Sequence, residues 1–270
     1  MIFIKMTNLA KEKVMTQDEY VDFYNRTKPL AEQGDAKSQD LLGNMYFIGL
    51  GAVINYVEAF KWFKLAAEQG IGTSQNQLGY AYTVGCGVKQ NFTEGLRWYT
   101  LAAEQGIANA QTNLGLMYER GDGVLQDYAE AIKWYKLAAE QGYARAQVSI
   151  GKMYGEGTGV KQDYAEELKW QKLAAEQNYP EAQYNIALIY ANGQGVKKDY
   201  IEAASWYKLA AEQGYADAQN NLGILYCFGK GVKRDYIEAA NWYKLAAAQG
   251  VTESQINLDR MHADGLIVVH

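Results

Sequence analysis

The chain has 270 residues, 49% of them hydrophobic and 21% charged, which is enough apolar material for a folded core. Its 26 basic and 31 acidic residues give a formal net charge of -5, so no overall positive field favours nucleic acid or an anionic membrane as a partner. Cys86 and Cys227 lack disulfide or zinc-type spacing, a usage typical of proteins in a reducing compartment.

The first segment, residues 1–34, is predicted to be an N-terminal segment followed by half a repeat. Its opening residues lack the apolar region of a signal peptide, and no later apolar run reaches membrane-spanning length, so we expect a cytoplasmic protein without membrane insertion. Residues 17–34 (QDEYVDFYNRTKPLAEQG) align with the second half of the units that follow. Pro29 predicts that the helix in this segment ends or kinks before residue 29, because proline lacks an amide donor and clashes with the preceding turn.

Residues 35–250 repeat with a period of 36. Every tryptophan of the chain lies on this period, at Trp62, Trp98, Trp134, Trp170, Trp206 and Trp242. The period has no insertions and defines six complete repeats, 35–70, 71–106, 107–142, 143–178, 179–214 and 215–250. A fixed period of this size predicts a stacked array in which each repeat contacts its neighbours. Residues 251–270 begin a seventh copy and are predicted to be a C-terminal half repeat and tail.

Each repeat is predicted to be a hairpin of two helices. In the first helix of the sixth repeat, Ala218, Leu222 and Leu225 share one apolar face. A glycine closes this helix in every copy, as Gly229 does here, and glycine suits the left-handed residue just beyond a helix end. The second helix is predicted to begin with a capping box, because an Asn or Asp such as Asp235 is followed three residues later by Glu.

Three aromatic positions in each repeat are predicted to hold the hairpins together. They are the tryptophan, the Tyr or Phe that opens the second helix (Tyr56 in the first repeat) and a Tyr of the first helix (Tyr46). An aromatic ring buries roughly 150–250 Å², so a single hairpin cannot shelter such residues alone. A mid-helix glycine, such as Gly79, is predicted to allow close approach of the helices.

Two regions depart from the pattern. In repeat four, Glu167 replaces the usual Ala, Gln171 replaces Tyr or Phe, and Asn178 replaces Gly just before Pro180, from which we expect a local bend. The tail GLIVVH (265–270) is predicted either to fold back as a cap or to form a homodimer contact with a second copy.

The recurring motif A-x-A-Q-x-N-L-G-x-M-Y-x-x-G-x-G-V-x-x-D-Y-x-E-A-x-x-W-Y-x-L-A-A-E-Q-G resembles the Sel1-like repeat (SLR), a relative of the tetratricopeptide repeat. The resemblance covers residues 17–265. It implies an all-α fold: a right-handed α-solenoid (superhelix) of about seven antiparallel helix hairpins, with the first helices lining the concave face. It also implies a scaffold or adaptor for protein complexes, without catalytic residues.

The supply of residues argues against an enzyme. The only histidines are His262 and His270, both near the C-terminus, which leaves no Ser-His-Asp, Cys-His or histidine-rich metal set. GEGTGV (155–160) has the glycines of a phosphate-binding loop but lacks the GK[ST] ending, and equivalent glycines recur as turn residues in the other repeats. We therefore expect no catalytic residue, no metal and no cofactor.

Binding residues are expected where the repeats differ from one another. On the first helices a stripe at helical spacing lies off the core face, and large apolar or charged side chains in it are candidates for partner contact. The predicted partner-binding residues on the concave face are Tyr80, Asn113, Leu116, Arg120, Arg145, Lys152, Tyr184, Asn185, Leu188, Asn221, Ile224 and Phe228. Two alternatives stay open: the apolar members pack between first helices, and the asparagines that share one phase (Asn113, Asn185, Asn221 and Asn257) bond a neighbouring helix instead of a bound peptide backbone.

The sequence thus predicts a non-enzymatic scaffold or adaptor that binds a partner protein or peptide segment, and no nucleic acid. The alternative is an inhibitor, such as an immunity protein that neutralises a bacterial toxin by direct binding. An enzymatic function, such as hydrolysis, would need a nucleophile or base set that the sequence does not show.

Overall fold

A computed structural model of the chain describes residues 16–267, which form fourteen α-helices and no strand. The helices are α1 (Gln17–Glu32), α2 (Ala36–Ile48), α3 (Tyr56–Glu68), α4 (Gly72–Val84), α5 (Phe92–Glu104), α6 (Ala108–Arg120), α7 (Tyr128–Glu140), α8 (Ala144–Glu156), α9 (Tyr164–Ala175), α10 (Pro180–Asn192), α11 (Tyr200–Glu212), α12 (Ala216–Phe228), α13 (Tyr236–Ala248) and α14 (Thr252–Ala263). The even-numbered helices are the first helices of the repeats, and the odd-numbered helices from α3 onward are the second helices. The predicted all-α helix-hairpin repeat is confirmed.

The helices form two compact units, Met1–Gln126 and Asp127–His270. In the N-terminal unit α2 packs on α3 and α4 on α5, and each hairpin also packs on the helix that follows it. The C-terminal unit repeats this order with α8–α9, α10–α11 and α12–α13. Helices of 12 to 16 residues are marginal in isolation, so packing against neighbouring helices supplies most of their stability.

Two glycines close each hairpin turn, and in the sixth repeat both are required by geometry. Gly229 ends α12 with φ 65°, and Gly231 follows with φ 71°. A Cβ on Gly231 would lie 2.0 Å from the carbonyl oxygen of Tyr200, at the start of α11. The turn therefore needs glycine both for its left-handed backbone and for its contact with the preceding second helix.

The second helices begin with a side-chain cap, but the predicted capping box is incomplete. Asp235 Oδ1 accepts hydrogen bonds from the backbone N–H groups of Ile237 and Glu238, at 2.9 and 3.0 Å. The N–H of Asp235 itself donates to the Tyr226 carbonyl at 3.0 Å, so it does not need the glutamate carboxylate. The reciprocal half of the predicted box is therefore wrong here, whereas α1 has the complete box around its cap residue Thr16.

Helix α1 continues through Pro29. Of the two predicted outcomes, the end before that residue is wrong, and the kink stays a prediction. The proline lies in the last turn, where the loss of one amide donor disturbs little of the helix. Packing holds this turn: Ala31 is 1% exposed, and its carbonyl accepts a hydrogen bond from Gln39 Nε2 at 3.1 Å.

In five of the six complete repeats a buried ring follows the tryptophan, whereas repeat four has Gln171 there. Tyr99 and Tyr243 are 3% and 1% exposed, and a Cβ on Gly79 would lie only 2.4 Å from the Tyr99 ring.

The tryptophans pack into the core as predicted: Trp98 and Trp170 are 6% and 9% exposed, and the half-buried Trp206 packs against a core cluster. Tyr56 is 46% exposed, so the prediction that this residue helps to form the core is wrong. The ring that meets the first helix of its own hairpin lies one position after the tryptophan.

A row of glutamines joins consecutive repeats through buried hydrogen bonds. Gln75, on α4, is 5% exposed and donates from Nε2 to the Ala67 carbonyl at 3.2 Å. Its Oε1 accepts a hydrogen bond from Nε2 of Gln105, just after α5, at 2.7 Å. The same glutamine pair recurs as Gln39 with Gln69, Gln147 with Gln177, Gln183 with Gln213 and Gln219 with Gln249. Gln75 thus connects the end of α3 to the end of α5 through hydrogen bonds.

The described part of the tail ends at Ile267. Ile267 packs against the core cluster of α13 and α14 that contains Met261, whereas Leu266 is 37% exposed. The two predictions for the tail also involve residues 268–270, which lie outside the described residues, as do residues 1–15.

We predict that Gln75→Ala lowers the free energy of unfolding by about 1–3 kcal/mol, because it leaves the buried Ala67 carbonyl and the Gln105 amide without their partner. Gln90→Ala is the control: Gln90 is exposed and its amide bonds the Thr83 carbonyl at a helix end, so we expect a change below about 0.5 kcal/mol. Urea denaturation followed by circular dichroism measures both variants. Equal losses would contradict the role assigned to the buried glutamines.

Candidate functional site

The predicted binding residues lie on the first-helix face, defined as the side of the even-numbered helices that carries them. In the N-terminal unit they are on α4 and α6. Tyr80 is 41% exposed and meets the Phe47 ring edge-on, with 6.1 Å between ring centres. Leu116 is half-buried, and Arg120 is exposed at the end of α6. This unit therefore offers an exposed ring on α4 and an exposed guanidinium on α6.

In the C-terminal unit the face is most developed on α12. Asp217, Asn221, Ile224 and Phe228 follow one another at spacings of four, three and four residues, so they share one side of the helix. Phe228 is 65% exposed, and the Lys230 ammonium lies 5.5 Å from its ring centre. A ring this exposed contributes little to the core, so its apolar surface is available to a partner.

Three of the predicted apolar residues also complete the core. Tyr184 and Leu188 pack against the core cluster formed by α10, α11 and α12. Ile224 packs against the cluster of α13 and α14. All three are half-buried, so each contributes packing and still keeps part of its surface exposed.

Tyr184 is the centre of a tyrosine cluster at the start of α12. Its ring centre lies 5.0 Å from that of Tyr215 and 5.8 Å from that of the buried Tyr207. Asn221 Nδ2 donates to the Tyr207 hydroxyl at 3.3 Å. Burial raises the pKa of Tyr184 and raises the pKa of Tyr215 to about 12. Both phenols are therefore neutral near pH 7, and the cluster presents uncharged aromatic surface.

Like Asn221, the other two predicted asparagines bond to the protein itself. Asn185 is 8% exposed and donates from Nδ2 to Gln171 Oε1 at 3.3 Å. Asn113 Nδ2 donates to Asn76 Oδ1 on the neighbouring first helix at 3.3 Å. As a correction to the predicted set, Asn185 is not available to a partner, because its amide is used in the interior. Both contacts favour the alternative in which the asparagines bond within the protein.

Charge on this face changes sign along the C-terminal unit. Arg145 and Lys152 are exposed on α8, and Lys152 forms an ion pair with Glu181 of α10. Asp217 and Glu253 occupy the position equivalent to Glu181 on the next two first helices. Neither of these two forms an ion pair within the described residues. The face is therefore basic on α8, has an ion pair on α10, and carries unpaired carboxylates on α12 and α14, with Lys230 beside Phe228 and Arg260 at the position equivalent to Ile224.

Sequence reasoning missed three residues of this face: Asp217, Tyr215 and Glu253. The predicted stripe included the position of Asp217, but large apolar side chains were favoured, and Tyr215 precedes the stripe as the N-cap of α12. The sequence does contain a pattern that points to the acidic residues of this face. From the first copy to the seventh, the position of Asp217 reads Lys, Thr, Asn, Arg, Glu, Asp and Glu, so its acidic residues are confined to the last three copies.

An ionisable group lies inside repeat four. Glu167, on α9, takes a position that is Ala or Gly in the other complete repeats. Its carboxyl group fills the space beside Gly155, where a Cβ would lie 2.3 Å from it, and its Oε2 is buried without a hydrogen-bond partner. Burial, with a further contribution from Glu156, raises the pKa of Glu167 to about 7. The folded protein therefore favours the neutral form of this carboxyl group.

The described residues, 16–267, were searched for a metal site and for a membrane span. No three His, Cys, Asp or Glu side chains in this range are grouped to hold a metal ion, and none of its helices has the length and apolar character needed to cross a bilayer. Burial raises the pKa of the Cys86 and Cys227 thiols, which lowers their thiolate fraction. His262, on α14, is half-buried. What the first-helix face offers a ligand is surface: rings, aliphatic side chains and charges.

The repeated hairpin determines the family. The sequence profile of the Sel1 repeat matches six consecutive blocks, residues 36–71, 72–107, 108–143, 144–179, 180–215 and 216–251. The chain belongs to the Sel1 repeat family. Sel1 repeats generally form a non-catalytic fold for protein interaction.

Solved structures of Sel1 repeat proteins resemble this one. A protective antigen of uropathogenic Escherichia coli with an SLR fold is 38% identical, with a TM-score of 0.81, over 90% of this chain and 52% of the antigen. The chain thus spans about half the length of that protein. A Sel1 repeat protein from Oxalobacter formigenes is 33% identical, with a TM-score of 0.79, over 85% of this chain and 92% of that one. These matches confirm the predicted α-solenoid fold class.

A more distant structure shares the fold alone. An immunity protein from Pseudomonas aeruginosa is 20% identical to this Sel1 repeat protein, with a TM-score of 0.51, over 72% of this chain and 74% of that one. A search of curated protein sequences finds no match to the chain.

We predict that the free energy of unfolding falls as the pH rises from about 4.5 to about 7, and that Glu167→Gln removes this part of the pH dependence. The pKa of Glu167 is raised on folding from 4.5 to about 7. The folded chain therefore holds an extra proton in this window, so its contribution to stability is complete below pH 4.5 and is lost as the pH rises through 7.

Urea denaturation at a series of pH values measures this dependence. Glu166→Gln is the control, because Glu166 lies on the surface and pairs with Lys169 at 2.9 Å. A Glu167→Gln profile that runs parallel to that of the parent chain would show that the carboxyl group is not the titrating group.

Proposed function

We propose that this Sel1 repeat protein is a non-enzymatic scaffold or adaptor that binds a partner protein or peptide segment on its first-helix face. The observation that carries the proposal is Phe228, which is 65% exposed beside the half-buried Ile224 on one side of α12. Leu222 and Leu225 of α12 are already buried in the core. The exposed ring is thus not needed to hold the helix in place, and a partner would gain most from covering it.

A few such anchors are sufficient for specific binding. Burial of one large apolar side chain contributes about 1.5–3 kcal/mol, and a small number of residues usually supplies most of the affinity of an interface. Tyr80 offers a similar anchor on the N-terminal unit, at 41% exposure. The polar groups around these rings would fix the register of the partner more than its affinity.

The general character of the family supports a binding role without catalysis. The net charge of -5 gives no reason to expect nucleic acid as the partner. We expect the protein to act in the cytoplasm, where the free cysteines Cys86 and Cys227 would stay reduced.

The alternative function is an inhibitor or immunity protein that neutralises a bacterial toxin by direct binding. It would use the same face but would engage one enzyme and abolish its activity. The distant immunity protein shares the fold alone and so does not favour this alternative over a scaffold. The two functions differ in what the bound partner does, which is the readout that separates them.

We predict that Phe228→Ala weakens binding of the natural partner at least tenfold, or about 1.4 kcal/mol, with little change in melting temperature. Ile237→Ala is the matched control, because Ile237 is 70% exposed on α13, a second helix. Affinity purification from the native source with the parent chain, followed by mass spectrometry, identifies the partner. Calorimetric titration of the purified partner then compares the two variants.

Binding that survives Phe228→Ala and is lost in Ile237→Ala would place the interface on the second helices and contradict the proposal. A purified partner whose enzymatic activity is abolished by the chain would favour the inhibitor. Several partners that stay active while bound would favour the scaffold.

A further inference from the structure

Aromatic surface and uncompensated negative charge lie side by side at the start of α12 and α14. Asp217 and Glu253 are exposed in the first turns of these helices. Burial is the main cause of the raised pKa of Tyr184, and the Asp217 and Glu253 carboxylates add to it. Both negative charges therefore act on the ring at the centre of the tyrosine cluster.

Some first-turn carboxylates of the C-terminal unit are paired with a lysine, whereas Asp217 and Glu253 are not. On the same face, Glu181 is paired with Lys152. On the second helices, Glu166 of α9 pairs with Lys169. Asp217 and Glu253 are exposed and form no ion pair among the described residues. The surface thus presents two carboxylates that no basic side chain of the described residues pairs.

We propose that the first-helix face of α10, α12 and α14 binds a basic segment of the partner protein, with an arginine or lysine side chain lying on Tyr184 and Tyr215 and its charge beside Asp217 and Glu253. The inference rests on the proposed function, because it names the chemistry of the partner for the same face.

The geometry suits a cation for two reasons. The ring centres of Tyr184 and Tyr215 lie 5.0 Å apart with 39° between their planes, and a cation within about 6 Å of a tyrosine ring centre is attracted to its face. Asp217 lies one turn before Asn221 on α12. A basic side chain of the partner that lies across the two rings can therefore place its charged end beside the Asp217 carboxylate. Arginine fits best, because its planar guanidinium can stack on a ring and at the same time donate hydrogen bonds to a carboxylate.

Other occupants fit this surface less well. An acidic segment would be repelled by two like charges. An apolar segment would cover both carboxylates, which would lose their hydration without gaining an ion pair. The neighbouring Ile224 and Phe228 supply apolar contact for the aliphatic part of a basic side chain or for residues beside it. A partner that is both basic and partly apolar therefore satisfies the whole face.

Peptide display tests the inference with defined probes. Short random-sequence peptides are selected on the full chain, and the affinity of selected synthetic peptides is measured by fluorescence anisotropy at low and at physiological salt. We expect selected peptides to carry arginine or lysine, and their affinity to fall as salt rises. We expect Asp217→Lys with Glu253→Lys to weaken their binding at least tenfold. Asp217→Asn with Glu253→Gln is the milder pair if the first pair fails to fold.

A matched control separates the effect of where the charges lie from the effect of the net charge of the chain. Glu202→Lys with Glu238→Lys makes the same change in net charge, at exposed first-turn positions of α11 and α13 that form no ion pair within the described residues. Binding of the basic peptides should change by less than about twofold in this control, because exposed charges separated by more than about 10 Å are largely screened at 0.1 M salt.

Several results would overturn the inference. The first is a selection that yields acidic or uncharged peptides, or no basic peptide. The second is equal binding of the peptides by the Asp217→Lys/Glu253→Lys pair and by the parent chain. The third is self-association of the chain through this face in analytical ultracentrifugation. If uncharged peptides are selected and Phe228→Ala abolishes their binding, the scaffold proposal stands and only the basic partner fails. If Phe228→Ala and the charge reversals both leave peptide binding intact, both proposals fail.

Discussion

The close packing of a ring against a bare glycine backbone fixes how the two helices of a hairpin approach each other. Tyr99 lies so close to Gly79 that a single added carbon would overlap it, and Tyr243 meets Gly223 in the same way. In these two hairpins the ring fills the core where the first helix has no side chain, and in the fifth repeat the small Ala187 takes that position beside the buried Tyr207. Glycine in a helix interior costs about 1 kcal/mol relative to alanine, and burial of the ring more than offsets that cost.

This contact also decides which surface remains for function. The first helices of the complete repeats use one side for contact with the second helix of the hairpin and for a buried glutamine, such as Gln75, which bonds the second helices before and after it. The side chains on its other side are under no such constraint, and there the repeats differ most. Phe228 and Asp217 lie on that side of α12. The separation lets the core repeat stay uniform while the binding face varies from one copy to the next.

The repeat architecture could be predicted from the sequence because it depends on local rules that recur. The period, the glycine at the end of α12 and the Asp235 cap all follow from the sequence and are all present. What could not be predicted depends on helical phase and on competition between donors. The tryptophan position was predicted to lie in the core, and Trp98 is buried there, whereas the equivalent Trp134 is only half-buried. The Asp235 N–H bonds a carbonyl of the preceding helix, so the glutamate that would complete a capping box is not used. Asn185 looked like a surface residue because its interior partner, Gln171, replaces an aromatic ring in that repeat alone.

The binding face itself was predicted in part. Exposure of Phe228 and Tyr80 agrees with their selection as large side chains outside the core phase, whereas the role of any of these residues in binding stays a prediction. The most direct test of the account is hydroxyl-radical footprinting of the chain with and without its purified partner. The account predicts that the partner protects Ile224, Phe228 and Tyr215, and leaves Ile237 and Leu245 on α13 as reactive as in the free chain. Protection of the α13 side chains with Phe228 unprotected would contradict it.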